Sequence, residues 1–470
     1  MSEQIPVKDV TPGKVETYDL YAKRDKIHTR SYKGLFKNIR LAGVAFLFLL
    51  YFGTAWLQWD GRQAVLWDLP ARQFHIFAAT FQPQDFFLLS FLLIICAFGL
   101  FFITVFAGRV WCGYTCPQTV WTWIFMWAER VTEGERNARI KLDKAPMSAN
   151  KLARRVAKHS IWIAVSLITA LTFVGYFTPI RELVVDLVIW DMAGWAVFWV
   201  FFFTAATYLN AGWLREQVCI HMCPYARFQS VMFDRDTLII SYNPERGEAR
   251  GPRKKGVDPA EVGLGDCVDC NMCVQVCPTG IDIREGLQME CISCAACVDA
   301  CDTVMDKMGY DRGLISYTTE HNLSGEKTEI LRPRLIGYGL ALVTMIGLFI
   351  LTVSSMAQVA VDVQRDRNVL YREARGGEIE NVYIIKVFNK SSEPRIYDLA
   401  VQGHPELSLS LPADRLSVGP NSTLQLPVTV QLDPAFMEGT NMAIEFKVTV
   451  EGDPDISATA ESRFMGPTLR

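Results

Sequence analysis

Histidine is scarce in this chain of 470 residues, which contains only six. These histidines form no pattern. No two of them lie at matching depth on apolar segments, as a bis-histidine haem within a bilayer would require. No GxGxxG sequence, P-loop or Ser-His-Asp arrangement is visible either. The sequence therefore argues against a membrane haem and a nicotinamide site, and electrons would have to come from a partner or a bound cofactor.

A large charge excess is also absent. The formal net charge is -3, which gives no reason to expect a nucleic-acid partner. No cysteine follows Cys301, so the C-terminal part is expected to fold without disulfides. Residues 1–37 are polar and charged, which predicts a cytosolic tail rather than a cleavable signal peptide.

Hydrophobic residues make up 50% of the chain and aromatic residues 12%, which is too apolar for one soluble domain. Five segments are apolar and long enough to span a bilayer. They are residues 38–56, 86–107, 160–177, 195–213 and 335–353. The loops between these segments are alternately rich and poor in Lys and Arg. Because basic loops stay in the cytosol, this pattern predicts a cytosolic N-terminus and an external C-terminus. Charged residues interrupt the apolar sequence at 181–192, between the third and fourth segments. The alternative for this stretch is a segment that lies along the membrane surface.

Eight cysteines lie between the fourth and fifth apolar segments, in two runs of CxxCxxCxxxC. This spacing is typical of proteins that hold two [4Fe-4S] clusters, in which the fourth cysteine of each run binds the other cluster. We therefore assign cluster one to Cys267, Cys270, Cys273 and Cys301, and cluster two to Cys291, Cys294, Cys297 and Cys277.

Zinc and disulfides are the alternatives for these thiols. A zinc ribbon uses two CxxC pairs instead of this longer run, and thiols in the cytosol stay reduced. One departure from the usual pattern is Asp302, which follows Cys301 where proline is common. We expect this change to leave ligation intact and to affect only the potential of a cluster.

A second constellation consists of two CxxxCP motifs, each placed after an apolar segment on the cytosolic side. Proline favours the first position of a helix, so Cys116 and Cys223 are predicted to be helix N-caps and biased towards thiolate. Soft thiolates select Cu(I), or zinc or iron-sulfur groups where geometry allows, and coincidence or packing is the other interpretation. The candidate redox-active and metal-binding residues are Cys112, Cys116, Cys219, Cys223 and His221.

The first four apolar segments resemble two copies of a helical hairpin, each of which ends in CxxxCP. Two such hairpins would bring the four thiols together at the membrane edge, close to the cluster region.

The last 110 or so residues change character. Short alternating strands, such as 381–387, 424–432 and 444–450, are separated by turn residues. Strands at this spacing predict an antiparallel, immunoglobulin-like sandwich. No cluster of His, Cys and Asp is visible in it, so we expect a docking module or a stabilising appendage.

The predicted fold is an α-helical integral membrane protein with five spans, an inserted two-cluster ferredoxin domain and a C-terminal all-β sandwich. Its parts are a cytosolic tail (1–37), a four-helix region (38–224), the ferredoxin domain (225–331), the fifth span (332–356) and a periplasmic domain (357–470).

This order of motifs resembles the cytochrome c oxidase accessory proteins of the CcoG/FixG type, over nearly the whole chain. The broader group of membrane polyferredoxins shares the spans, the CxxxCP motifs and the clusters, but not the sandwich. The resemblance implies a protein of the bacterial inner membrane that reduces Cu(II) to Cu(I) for assembly of the C-type haem-copper oxidase. It also implies that the CxxxCP cysteines hold or reduce copper.

The implied partners are membrane lipid, a cytosolic electron donor of unknown identity, a copper chaperone or copper-exporting ATPase, and oxidase assembly factors. Two other functions stay open at this point. One is an electron conduit between the quinone pool or a cytosolic donor and a periplasmic reductase. The other is a scaffold for oxidase assembly without redox activity.

Overall fold

The computed structural model of the chain describes residues 26–467, except 356, 367, 368, 375, 392, 413, 414, 421 and 438. Its helices are α1 Leu35–Phe48, α2 Phe86–Ala107, α3 Val110–Tyr114, α4 Pro117–Glu133, α5 Arg136–Lys144, α6 Ala149–Val174, α7 Ile180–Ile189, α8 Gly194–Thr207, α9 Pro224–Met232, α10 Pro244–Gly247, α11 Met272–Val276, α12 Ala296–Met308, α13 Glu320–Leu323 and α14 Pro333–Ser354.

The strands are short in the N-terminal half and longer in the C-terminal domain. They are β1 Gln58–Trp59, β2 Arg62–Gln63, β3 Val65–Asp68, β4 Gln73–Ile76, β5 Ala79–Phe81, β6 Ile239–Tyr242, β7 Ile315–Thr318, β8 Val359–Arg365, β9 Arg372–Glu373, β10 Ile379–Asn389, β11 Arg395–Gln402, β12 Ser408–Ser410, β13 Leu416–Val418, β14 Thr423–Leu432, β15 Asn441–Val450 and β16 Asp453–Met465.

Five helices in the described residues are long and apolar enough to cross a membrane. Two of them extend α1 and α8 through π-helical turns. The five are Leu35–Gly53, Phe86–Ala107, Ala149–Val174, Gly194–Leu214 and Pro333–Ser354. The five predicted spans are thus present.

The third of these helices begins earlier than the sequence predicted, at Ala149 instead of residue 160. Residues 149–159 are rich in Ala, Leu, Lys and Arg, which favour helix. The Ser148 hydroxyl accepts the Lys151 backbone N–H and caps the start. The basic residues therefore mark the edge of the apolar surface and not the end of the helix.

The two expected hairpins do not both form. Helices α6 and α8 pack on each other as predicted, but α2 packs chiefly on α14. A small sheet of β3, β4 and β5, which sequence patterns did not reveal, lies between α1 and α2 along the chain. The Gln63 amide beside this sheet donates to the Gly175 carbonyl oxygen at 2.7 Å and its oxygen accepts the Ile180 N–H at 2.9 Å. These bonds join the sheet to the end of α6.

The C-terminal domain consists of two antiparallel sheets. One has the strand order β12-β14-β10-β8, with β9 beside β10, and the other has the order β13-β11-β15-β16. Alternate side chains of both sheets form one core, in which the rings of Tyr383 and Phe446 lie 5.0 Å apart. Lys390 at the end of β10 makes an ion pair of 2.9 Å with buried Asp85, just before α2. The sandwich therefore contacts the same end of the membrane helices as the small sheet.

The ferredoxin fold lies at the opposite end of the helices. Strands β6 and β7 pair antiparallel, and α11 and α12 pack on each other. Asp299 of α12 accepts the backbone N–H groups of Phe36 and Lys37, at 3.1 and 2.8 Å. A carboxylate from the ferredoxin fold thus caps the first membrane helix, as the helix dipole favours. A Cβ at Gly34 would lie 2.2 Å from the Asp299 carboxyl carbon, so this position requires glycine.

A buried ionic network connects the N-terminal segment to α4, α5 and Arg215, which follows the fourth apolar helix. Glu129 is fully buried and pairs with Arg139 at 3.0 Å and with Arg215 at 2.5 Å. Burial alone would raise the pKa of the Glu129 carboxyl, but Arg215 and Lys26 outweigh it and hold the pKa at about 2. The carboxylate is therefore ionised at neutral pH.

Replacing Glu129 by Gln is expected to destabilise the protein markedly. Removal of one partner of a buried ion pair leaves an uncompensated charge and costs roughly 3–5 kcal/mol. The measurement is thermal unfolding of the purified protein in detergent. Glu261→Gln, at an exposed site, is the control and should melt like the wild type. Equal melting temperatures for both variants would show that the network contributes nothing to stability.

Candidate iron-sulfur and thiol centres

The eight cysteines of the two CxxCxxCxxxC runs line two neighbouring cavities. One cavity is lined by the thiols assigned to cluster one: Cys267, Cys270, Cys273 and Cys301. The other is lined by Cys273 and by the thiols assigned to cluster two: Cys277, Cys291, Cys294 and Cys297. In each cavity the fourth thiol comes from the opposite run, as the crossed assignment requires.

The loops before α11 and α12 have the same backbone conformation. Asp269 and Asn271 have positive φ angles of 50° and 54°, and Ser293 and Ala295 have 51° and 57°. These residues stand at the same two places relative to the first cysteine of each run. Left-handed backbone is costly for such residues, so its exact recurrence indicates a shared requirement of the two loops. Each loop must curl so that its three thiols face one iron-sulfur cube, which is a requirement of this kind.

The donor chemistry of the cavities fits [4Fe-4S] clusters. Each cavity is lined by the four cysteines assigned to its cluster, and its lining is otherwise mainly apolar. Among the described residues, no three His, Cys, Asp or Glu side chains are arranged around a single metal ion. This agrees with a cube, because each of its irons takes one cysteine. Burial raises the pKa of Cys291 and Cys301 to about 12, which a bound iron would reverse.

The first CxxxCP motif lies directly against the loop of cluster two. Cys112 packs in one apolar cluster with Ile292 and Cys294. A Cβ at Gly113 would lie 2.7 Å from the Ile292 carbonyl oxygen and 2.9 Å from the Cys294 Cα. Only glycine allows this approach of two backbones.

A hydrogen-bond chain supports the same contact. The Tyr114 hydroxyl lies 3.3 Å from the Tyr317 hydroxyl, which donates to the Ser293 carbonyl oxygen at 2.6 Å. Tyr114 belongs to the first CxxxCP motif and Ser293 to the loop of cluster two. The two regions are therefore joined by polar as well as apolar contacts.

The four CxxxCP cysteines form one group. The electrostatic neighbours of the Cys112 thiol include Cys116 and Cys219, and those of Cys219 include Cys116 and Cys223. Burial and the neighbouring thiols raise the pKa of Cys112 to about 12 and that of Cys219 to about 11. Both thiols are therefore protonated at neutral pH in the absence of a bound metal ion.

Cys116 and Cys223 are the N-cap residues of α4 and α9, and Pro117 and Pro224 follow at the first helical positions. His221 is exposed. In the described part of the chain, no three of these possible ligands are arranged around one ion.

Sequence patterns missed two residues of this region. The guanidinium of Arg109, three residues before Cys112, donates to the carbonyl oxygens of Met289, Cys291 and Ala226. It therefore connects the loop of cluster two to the helix after the second CxxxCP motif. Gln229, fully buried on that helix, accepts a bond of 3.3 Å from the Cys112 thiol. The only sequence signal for these two residues was a single arginine close to a CxxxCP motif.

Three family models match parts of the chain. Residues 214–320 match a 4Fe-4S dicluster domain, residues 89–129 a 4Fe-4S binding domain, and residues 349–467 the IG-like fold at the C-terminal of FixG. The predicted fold class is confirmed by these matches and by the five apolar helices. A crystal structure of a FixG-related protein from Vibrio parahaemolyticus is 31% identical, with a TM-score of 0.22, and covers 23% of this chain and 97% of its own.

Full-length relatives extend the match over most of the chain. Nitrogen fixation protein FixG of Rhizobium meliloti (strain 1021) is 38% identical over 443 residues, which are 86% of this chain and 84% of the relative. Protein RdxB of Cereibacter sphaeroides is 38% identical over 88% of this chain and 90% of its own length. Protein RdxA of the same organism is 40% identical over 83% of this chain and 85% of its own length. The chain thus belongs to the FixG family of iron-sulfur electron-transfer proteins with membrane-spanning helices.

Proposed function

We propose that this protein is a cupric reductase that converts Cu(II) to Cu(I) for assembly of the C-type haem-copper cytochrome c oxidase. The observation that carries the proposal is the contact between the first CxxxCP motif and the loop of cluster two, where Cys112 packs against the apolar cluster that contains Cys294 and Gly113 meets the loop backbone. Soft thiols favour Cu(I) over Cu(II), so they stabilise the product of the reduction.

The reaction needs one electron for each copper ion. A reduced electron carrier of the cytosol supplies it, and Cu(II) becomes Cu(I). When bound, the two clusters supply single-electron transfer between this carrier and the thiol group. The CxxxCP thiols bind the copper, release their protons to water, and keep the ion beside the cluster-two loop.

The proposed location is the bacterial inner membrane, with the ferredoxin fold in the cytosol and the sandwich in the periplasm. The distribution of Lys and Arg between the loops supports this orientation. Copper chaperones or a copper-exporting ATPase would then receive Cu(I), and the sandwich would face oxidase assembly factors.

An iron-sulfur group at the CxxxCP motifs is the second candidate. The 4Fe-4S binding domain model that matches residues 89–129 includes Cys112 and Cys116. The four thiols also form one group. A third cluster there would make the protein an electron conduit and leave copper without a thiol site.

Replacement of all four CxxxCP cysteines by Ser is expected to abolish Cu(II) reduction and to leave the ferredoxin clusters in place. The clusters are reduced anaerobically, Cu(II) is added, and cluster oxidation is followed by absorbance and EPR beside a Cu(I) chelator. Cys96→Ser, at an exposed site of α2, is the matched control and should keep the wild-type rate. Reduction at the wild-type rate by the quadruple variant would refute the role of these thiols.

Iron content distinguishes the two candidates. Two [4Fe-4S] clusters hold about eight irons per chain, and a third cluster would raise this to about twelve. Under the copper proposal, the wild type and the quadruple variant carry equal iron, measured by mass spectrometry of anaerobically purified protein. A loss of about four irons in the variant would assign the CxxxCP thiols to a third cluster instead.

A further inference from the structure

Five arginines are buried in the described residues: Arg40, Arg109, Arg139, Arg215 and Arg332. A buried cation is costly unless an opposite charge compensates it. Arg139 and Arg215 both pair with Glu129, and Arg332 pairs with Asp234 at 3.0 Å. Three of the five thus have a carboxylate partner.

The other two, Arg40 and Arg109, are each only 4% exposed. No described carboxylate lies within 4.0 Å of either guanidinium group, which is the limit for an ion pair. One guanidinium nitrogen of each, Nη2 of Arg40 and Nε of Arg109, is buried without a hydrogen-bond partner among the residues that the structure describes. The other described hydrogen bonds of Arg109 go to neutral carbonyl oxygens.

Both arginines lie beside cluster two. Arg109 reaches the carbonyl oxygen of Cys291. Arg40 lines a crevice together with Pro278 and Ala296, and these two residues also line the cluster-two cavity. The two buried arginines without a carboxylate partner among the described residues therefore both adjoin the cluster-two cavity.

We propose that Arg40 and Arg109 are the counter-charges of cluster two and raise its reduction potential. A [4Fe-4S] cluster with four thiolates is an anion that gains further negative charge on reduction. Burial in a medium of low dielectric constant disfavours that gain, whereas nearby cations favour it. The arginines thus keep a deeply buried cluster reducible.

The surroundings of cluster one are different. Its Cys270 is exposed, so water already stabilises the reduced state. The arginine in its lining, Arg284, is paired with Asp269 at 2.6 Å and with Asp282 at 2.5 Å. Its charge is neutralised by these carboxylates. Removal of Arg40 or Arg109 should therefore act on cluster two and leave cluster one unchanged.

The experiment is an EPR-monitored redox titration of the full-length protein in detergent, without copper. Arg109→Gln and Arg40→Gln are expected to lower the midpoint potential of one cluster and leave the other unchanged. The shifted cluster should be the one that Cys277→Ser perturbs and Cys301→Ser does not. Arg312→Gln is the control, because this arginine pairs with Asp306 on the surface and its side chain is 68% exposed.

Arg109→Lys keeps the charge and changes the hydrogen bonds, so its potential should stay near the wild-type value. If the Gln variants lose iron, a selective loss of about half, restored by Lys, supports the proposal equally. Unchanged potentials, equal shifts of both clusters, or equal effects of Lys and Gln would overturn it. The titration contains no copper, so failure of the cupric-reductase proposal leaves its result intact.

Discussion

The close approach of Gly113 to the loop of cluster two determines how the membrane helices meet the ferredoxin fold. No side chain fits between this glycine and the carbonyl oxygen of Ile292. The backbone of a CxxxCP motif and the backbone that surrounds an iron-sulfur cavity are therefore in contact. Cys112 and Cys294 belong to one apolar cluster as a consequence. Without this approach, the two sets of thiols would be separate sites on one chain.

Charged side chains at the same end of the molecule add directional contacts to this apolar contact. Asp299 caps the first membrane helix from within the ferredoxin fold. Glu129 joins arginines from two other segments in the ionic network. Asp299 therefore restricts how the ferredoxin fold can turn on the first membrane helix. The Glu129 network instead joins segments outside the ferredoxin fold, the N-terminal segment among them.

Most of the fold could be predicted from the sequence because its strongest patterns reflect simple physical requirements. Apolar length predicted all five spans, and the crossed cysteine spacing predicted which thiols share a cavity. The third helix starts early because helix propensity continues where hydropathy ends. The small sheet at 65–81 was missed because its strands are too short to show a period. Arg109 and Gln229 were missed because their hydrogen-bond partners lie 117 or more positions away in the sequence, and no local pattern encodes such contacts.

The environment of the CxxxCP thiols bears on how the proposed reductase would release its product. Burial and the neighbouring thiols raise the pKa of Cys112 to about 12 and that of Cys219 to about 11, so protonation would compete with a bound metal ion for each thiol. A thiol that regains its proton no longer holds the ion. Under the copper proposal, the same burial against the cluster-two loop that shortens the path of the electron would therefore also favour the release of Cu(I).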